Sequence, residues 1–433
     1  MKSKHRKHLT PGVRLIIGFA SIIIVGGLLL LLPISHQEGK SMSVVNSFFI
    51  SASAVCVTGL STIDVGNTLS VFGSIVLATL IQLGGLGFAS FAVFFLMIIG
   101  NSLSYSNLSL VRESLNTIPG FDIRALVKTV ITTSLICEIT GSLLFYQVFK
   151  VDYPTLKAIG ISIFHSISSF NNAGFDILGN FKSISNYSDN VLLNLTTAIL
   201  IIIGGLGFFV IYDIFSFKKN KRLKTHTKIV LTMSGSLLLF GTVFFYFSER
   251  GITLLQAFFQ STTARTAGFN TIDIGGLSNA GVVVMLFLMF VGASPGSTGG
   301  GIKTTTMFTI ILSIIRIPTH NNVKAFYRKI ADSSIIKAFF VATLAMFAII
   351  ITGGIIFSIE GTAFSFEEVI FECVSAFATV GLSMGITTHL AASSKILLII
   401  LMFIGRLGPL TIAFSWRTSQ KRFHYIEENI LIG

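Results

Sequence analysis

The sequence predicts an all-α integral membrane protein assembled from four copies of one unit: a long helix, a short half-helix, a glycine-bearing strand and a second long helix. Three observations carry that prediction. Of 433 residues, 52% are hydrophobic and 11% charged, with mean hydropathy +0.83, where a soluble domain carries roughly a quarter charged residues. Eight apolar segments approach the length of about 20 residues that a bilayer requires. Between the members of each pair lies an apolar piece too short to cross, and each such piece runs into a glycine.

The basic start KSKHRKHLTPG leads into VRLIIGFASIIIVGGLLLLL without a small-residue cleavage site, so 13–32 is expected as a retained helix and not a signal peptide. The other expected spans are 71–99, 126–149, 191–217, 229–247, 280–317 with a glycine-rich interruption, 335–357 and 396–416. The short pieces are NSFFISASAV, ISIFHSISSF, LLQAFFQSTTA and EVIFECVSAF, each read as a re-entrant half-helix. They close on VCVTGL, FNNAGF, ARTAGF and FATVGL, placing Gly59, Gly174, Gly268 and Gly381 at intervals of 115, 94 and 113 residues. Each is followed in the next long helix by a second glycine motif: GGLGF at 84, GGLGF at 204, GASPG at 292 and GRLGP at 405. Such self-similarity marks a repeat architecture. The units are expected at 9–100, 121–217, 226–317 and 334–417, followed by a tail at 418–433.

Charge sets the expected orientation. Lysine and arginine gather at 2–14, 112–128, 218–228, 316–337 and 417–422, which hold 22 of the 31 basic residues, and the side they mark carries six acids, Glu113, Asp122, Asp213, Asp332, Glu427 and Glu428. The opposite side holds most of the other acids, among them Asp64, Asp176, Asp273, Glu367, Glu368 and Glu372. Basic residues accumulate on the cytoplasmic side, so both termini are expected there, in the cell membrane, with the half-helices entering from outside. The net charge of +13 is thereby explained without nucleic acid. Cys56, Cys137 and Cys373 lie far apart and are read as packing residues. His165 has no second ligand at metal spacing and is read as a packed histidine, and Trp416 suits an interfacial belt. No nucleophile and base arrangement is present, so an enzyme is not expected.

A half-helix that stops inside the membrane places its C-terminal carbonyls, the negative end of its dipole, where they favour a cation. Irregular backbone at that depth is tolerated only inside protein or around water. Four such strands about one axis can turn carbonyl oxygens inward and replace the water shell of a potassium ion. Glycine takes the backbone angles this needs without a Cβ clash. The competing reading, that glycines only let helices pack closely, accounts for much of GGLGF but not for four copies after segments too short to cross.

These units, the T-G-L and A-G-F strands, the GGLGF helices, GASPGSTGGGIKTTT and GRLGP together resemble the Trk/Ktr/HKT superfamily of cation-translocating subunits over essentially the whole chain, most closely the Ktr-type membrane subunit, KtrB-like. The resemblance implies eight spanning helices with fourfold pseudosymmetry around one central pore, and potassium uptake. Glycine at all four filter positions goes with potassium in that superfamily, while plant members with serine in the first repeat tend to pass sodium. It implies potassium sites on the main-chain carbonyls of Val57, Thr58, Gly59, Asn172, Ala173, Gly174, Thr266, Ala267, Gly268, Thr379, Val380 and Gly381. Arg265 is expected to turn away from the axis towards a neighbouring carboxylate.

The run at 292–306 resembles a Walker A loop but misses it, because Ile302 separates Gly301 from Lys303. The resemblance implies instead an intramembrane gating loop, comprising Gly292, Ser294, Pro295, Gly296, Ser297, Thr298, Gly299, Gly300, Gly301 and Lys303, with Thr304 beside it. Arg406 lies within an apolar span, where a charge must face protein or water; it is expected to donate to loop carbonyls and repel cations in the shut state, or else to pair with a buried carboxylate such as Glu138. No cofactor is expected in the chain. The resemblance implies a ring of cytoplasmic nucleotide-binding regulatory subunits of the KtrA/KtrC kind, a homodimer with KRFHYIEENILIG at its interface, and sodium as a candidate activator. A sodium-passing or sodium-coupled transporter on the same scaffold is the alternative.

Overall fold

The computed structural model describes residues 10–99, 105–114, 122–217, 221–318, 322–409 and 411. The start of the chain, Lys218 and Lys219, Trp416, Arg417 and the tail 418–433 lie outside these residues, and with them the expected dimer segment.

Four helices are continuous, long and apolar enough to cross a membrane: α1 (Pro11–Leu31) and, further along, helices over Ile123–Phe149, Thr225–Ser248 and Asp332–Glu360. Their outer faces are apolar and exposed, as at Ile24 and Leu28, Ile136 and Leu143, Leu239 and Phe247, and Phe347 and Ile351. So large an apolar exterior has a stable environment only in lipid. The protein is an all-α multi-pass membrane protein. In chain order the elements after α1 are α2 (Val44–Val55), α3 (Val65–Thr68), α4 (Val71–Gly85), α5 (Phe88–Ile98), α6 (Tyr105–Ser114), α7 (Ile123–Phe149), α8 (Thr155–Phe170), α9 (Val191–Leu206) and α10 (Phe208–Phe215). Then come α11 (Thr225–Ser248), α12 (Leu254–Thr263), α13 (Asn279–Phe290), α14 (Thr304–Arg316), the hairpin β1 (Lys324–Ala325) and β2 (Arg328–Lys329), α15 (Asp332–Glu360), α16 (Phe366–Ala378) and α17 (Ala392–Leu407).

Two expected spans are corrected. The segment 71–99 is not one helix but α4 and α5 bent by 89°, and 191–217 is α9 and α10 bent by 95°. The breaks fall at Gly87 (φ 78°) and Gly207 (φ 90°), left-handed angles that end a helix. At Gly207 the bend is held from outside, because the next amide, Phe208 N–H, donates to Gly296 O at 2.8 Å. The fourth inner helix ends at Leu407, with Gly408 at φ 84°, well short of residue 416.

The short helices α2, α8, α12 and α16 occupy the four expected places, with α8 reaching further towards its N-terminus than the sequence piece. Ser43, Thr253 and Ser365 cap three of them, and the last two form full capping boxes with Gln256 and Glu368. One mode of packing recurs. A hydroxyl on the short helix bonds a carbonyl of the preceding long helix: Ser51 to Ile23 O at 2.7 Å, Ser166 to Glu138 O at 2.7 Å, Ser261 to Leu238 O at 2.9 Å. A glycine three residues on, Gly26, Gly141 or Gly241, leaves room for that hydroxyl. On the other side Gly84, Gly204 and Gly405 lie so close to Val55 O, Phe170 O and Phe377 O that a Cβ would overlap them. The first glycine of each GGLGF and of GRLGP is therefore a packing residue. Cys56 and Cys373 are buried in the core and Cys137 is half-buried, all three as free thiols.

Candidate functional site: a ring of main-chain carbonyls

Each short helix ends in three residues of unusual backbone. The first is left-handed although it is never glycine: Val57 (φ 57°), Asn172 (58°), Thr266 (77°) and Thr379 (52°). The second is not, and the third is again left-handed: Gly59 (92°), Gly174 (68°), Gly268 (83°) and Gly381 (93°). Left-handed angles at β-branched Val57, Thr266 and Thr379 cost on the order of 1–3 kcal/mol each and persist only where surrounding structure enforces them. Alternation of hand gathers successive N–H groups on one side and leaves the carbonyls to the other.

The N–H side is accounted for. Thr58, Ala173 and Val380 N–H donate back to Ser53, Ser168 and Ser375 O at 2.7, 2.8 and 2.9 Å, and Ala267 N–H to Thr263 O at 3.0 Å. Gly59 and Gly381 N–H donate to the hydroxyls of Ser53 and Ser375, both at 3.1 Å. Ser168 and Thr263 hydroxyls donate to Phe175 and Phe269 O just beyond the strands. On the carbonyl side, none of the hydrogen bonds among the described residues ends on any of the twelve oxygens. The strands nevertheless touch. A Cβ on Gly59 would overlap Ala173 O, one on Gly174 Ala267 O, one on Gly268 Val380 O, and one on Gly381 Thr58 O. The succession passes from first strand to second, third and fourth and returns to the first, so the four strands form a closed ring with one residue from each strand at every level.

The two faces of the ring differ. On the glycine face opens a cavity of about 790 Å³ lined by all four glycines together with Asp64, Asp176 and Asp273. Asp176 Oδ1 accepts from Leu178 N–H at 3.0 Å. Burial pushes its carboxyl up to about 6 against that bond, with a further push from the Asp64 charge. The face formed by the first residues is covered by the glycine-rich run between α13 and α14. Gly300 N–H donates to Thr379 Oγ1 at 2.9 Å, Thr298 Oγ1 lies 3.4 Å from Phe170 O and Asn172 Oδ1, and a Cβ on Gly299 would overlap Thr266 Oγ1.

The run is tied down in a definite way. Ser294 and Thr298 N–H donate to Gly205 and Gly204 O at 3.0 and 3.2 Å, and Thr304 N–H donates to Ala293 O at 3.4 Å. Ser297 Oγ donates to Ser294 O at 2.6 Å, and Thr304 Oγ1 donates to Ser294 Oγ at 3.0 Å. Val291 and Ile302 form an isolated bridge across its base. Gly292 packs against Gly300 and Gly301, while Pro295 O and Gly296 O meet the bend at Gly207. Lys303 Nζ donates to Gly299 O at 2.7 Å, so its ammonium folds back on the run itself. Arg406 reaches the same segment from α17, donating from one guanidinium nitrogen to Thr298 O and from another to Gly84 O and, at 3.0 Å, to Gly85 O. It does not meet Glu138.

Two expectations need correction or enlargement. Arg265 points away from the ring, but its partner is no carboxylate: its guanidinium donates to Ser234 O and Ser234 Oγ, both at 3.1 Å, on α11. A helix carbonyl and hydroxyl engage the two terminal guanidinium nitrogens without placing an acid beside the strand, while the buried Nε has no partner among the described residues. The buried cluster of Gln82, Ser134, Glu138 and Asn171 was not legible as a unit, because its members are spread over 90 positions. Gln82 Nε2 donates to Glu138 Oε1 at 2.8 Å, Ser134 Oγ donates to the same oxygen at 3.1 Å, and Asn171 Nδ2 donates to Gln82 Oε1 at 2.7 Å. It fixes the residue next to the second strand. His165 is packed, 3.1 Å from Thr197 Oγ1 and ringed by Phe145, Phe149 and Phe269. Among the described residues no group of His, Cys, Asp or Glu could hold a metal ion.

With this geometry in place, the chain can be set beside known proteins. A family model described as TrkH, a cation transport protein, matches residues 13–245 and 225–425. The potassium/sodium uptake protein NtpJ of Enterococcus hirae is 36% identical over 100% of this chain and 99% of its own length. The Ktr system potassium uptake protein B of Bacillus subtilis is 39% identical over 98% of this chain and 97% of its own. The crystal structure of the potassium transporter TrkH from Vibrio parahaemolyticus shares the fold, with TM-score 0.75 over 96% of this chain and 88% of the other at 19% identity.

The buried cluster makes a direct prediction. Glu138→Leu leaves the Gln82 amide and the Ser134 hydroxyl short of an acceptor, at about 1–3 kcal/mol for each buried polar group left unpaired. Its thermal unfolding midpoint in detergent should fall by several degrees, and Glu138→Gln, which keeps one acceptor, should lose less.

Proposed function

This chain belongs to the TrkH family of cation transport proteins, an ion transporter and not an enzyme, and we propose that it takes up potassium through the ring of main-chain carbonyls. The observation that carries the reading is the set of twelve carbonyls without a donor among the described residues, on four strands that close into a ring. Oxygen dipoles at that density suit a dehydrated monovalent cation, whose water shell they replace. The residues are Val57, Thr58 and Gly59, Asn172, Ala173 and Gly174, Thr266, Ala267 and Gly268, and Thr379, Val380 and Gly381. Each is read through its backbone, which fits the variety of their side chains. The names of the Bacillus subtilis and Enterococcus hirae relatives, both potassium uptake proteins, support the choice of ion.

The organisation follows from the same proposal: four repeats at 9–100, 121–217, 226–317 and 334–417, contributing eight crossings around one axis. The recurring hydroxyl and glycine contacts support it, and the bends at Gly87 and Gly207 make two of the crossings broken ones. The acidic cavity on the glycine face is the outer vestibule, where carboxylates raise the local cation concentration. The basic loops and both termini lie in the cytoplasm. The run at 292–306 is the gate: it covers the inner face of the ring, and its glycines allow it to leave. Arg406 is its latch, holding Thr298 O to Gly84 O and Gly85 O while presenting a positive charge below the ring. Cytoplasmic nucleotide-binding subunits acting on a homodimer would supply the force; the Ktr system name carried by the relatives supports a multi-component assembly.

Sodium passage on the same scaffold is the second reading, favoured by the name of the Enterococcus hirae relative, which gives both ions. Competition of sodium against rubidium uptake in proteoliposomes separates the two.

In the same vesicles, Arg406→Ala should raise rubidium leak severalfold in the absence of any partner, and leak equal to wild type removes Arg406 from the gate. Uptake should also depend on external pH. The Asp176 carboxyl, raised to about 6, is charged above that pH and neutral below it. Uptake at low rubidium should therefore fall as pH drops from 7 to 5, and Asp176→Asn should be low and flat across that range.

A further inference from the structure

A second cavity, of about 720 Å³, lies at the basic end of α11. Five side chains on its wall are cationic: Lys221, Arg222, Lys224 and Lys228 around the start of α11, and Arg328 from β2 about 100 residues further on. Among the described residues no carboxylate lines it. The nearest acid on α10, Asp213, accepts from the Lys224 backbone N–H and from Thr227 Oγ1 at 2.9 and 2.6 Å, so it serves the helix start. Asp332 pairs with Lys329 at 3.3 Å, on the far strand position of the hairpin. Like charge gathered around one concavity raises the local concentration of anions there, although Lys224 and Lys228 also rest over the rings of Phe209 and Phe326, at 4.9 and 5.8 Å.

The rest of the wall is aromatic. Phe217 and Phe326 line the cavity and are 46% and 41% exposed, and Tyr327 beside them is fully exposed. Phe326 and Tyr327 form the whole turn between β1 and β2, at φ 48° and 64°. A two-residue turn with both angles left-handed selects Asn-Gly or a similar pair, so two aromatic residues there hold a strained backbone. Exposed aromatic rings beside lysine and arginine at the end of an apolar helix are the signature of the headgroup layer.

We propose that this cavity binds the phosphate headgroup of an anionic phospholipid, with Lys228 and Arg328 on opposite sides of the phosphate and Phe217, Phe326 and Tyr327 set among the glycerol and upper acyl segments. The occupant is lipid and not free phosphate because the wall is amphiphilic and lies where a spanning helix leaves the bilayer. The inference rests on the membrane placement of α11 and stands apart from the reading of the carbonyl ring.

The test uses the full-length protein in detergent, with lipid retention followed by native mass spectrometry and folding by thermal unfolding. Phosphatidylglycerol should be retained and raise the unfolding temperature relative to phosphatidylcholine. Lys228→Gln with Arg328→Gln should weaken phosphatidylglycerol binding on the order of tenfold or more, with unfolding in phosphatidylcholine unchanged. If the double variant loses its folded transition, Arg328→Gln alone on the exposed hairpin gives the same reading at smaller amplitude. Equal retention of the two lipids, or variants that hold phosphatidylglycerol as wild type does, overturns the proposal. So does equal protection by inorganic phosphate, or by poly-glutamate, which would assign the cavity to a free anion or to an acidic protein surface.

Discussion

The structure turns on main-chain carbonyl oxygens to which none of the described residues donates. A buried polar group left unpaired costs about 1–3 kcal/mol, and the eight that lie beneath the partly exposed glycine level would together cost roughly 8–24 kcal/mol, as much as the roughly 5–15 kcal/mol by which ordinary proteins are stable. Such a set persists only where water or a cation takes the place of the missing donors, and where the scaffold forbids the strands to relax. The scaffold supplies that second condition. The middle N–H of every strand is held by the end of its own short helix, and every short helix is held by a hydroxyl or a close glycine contact to the long helices beside it. Strain at Val57, Thr266 and Thr379 is thus imposed by packing that lies well outside the ring.

The third unit departs from the others at the point where control would act. Where Gly84, Gly204 and Gly405 pack directly beneath a short helix, the corresponding helix of the third unit is interrupted and its backbone crosses the inner face of the ring. The interruption draws hydrogen bonds from α9 through Gly204 and Gly205, from the fourth strand through Thr379, and from α17 through Arg406. Few of these contacts are apolar, and polar bonds can be exchanged for water more readily than packed side chains can be separated. Under the proposed gating, these exchangeable bonds are what the run would give up on leaving the ring.

Much of this was legible because period and composition are local signals. The four glycines, the short pieces before them and the interrupted helix could each be read from spacing. So could one further signal, a hydroxyl residue six places before each glycine: Ser53, Ser168, Thr262 and Ser375. Three of these hold the strand amides, while in the third unit Thr263 takes the part. What spacing could not reveal were the bends at Gly87 and Gly207, since an apolar run reads the same straight or broken, and the second is fixed by Gly296 from another unit. The partner of Arg265 was misjudged for a related reason. Charge complementarity suggested an acid, whereas Ser234 engages the two terminal guanidinium nitrogens with a carbonyl and a hydroxyl. The cluster around Glu138 joins three helices and so lies beyond any local pattern.

The central claim is that these oxygens hold a dehydrated monovalent cation. Thallium has nearly the size of potassium and scatters anomalously, so diffraction from crystals grown in thallium tests it directly. Anomalous peaks should lie on the axis between the carbonyls of Thr58, Ala173, Ala267 and Val380 and at the levels on either side, and excess potassium should remove them. Thallium bound elsewhere in the bundle, with none between those four strands, would contradict the account.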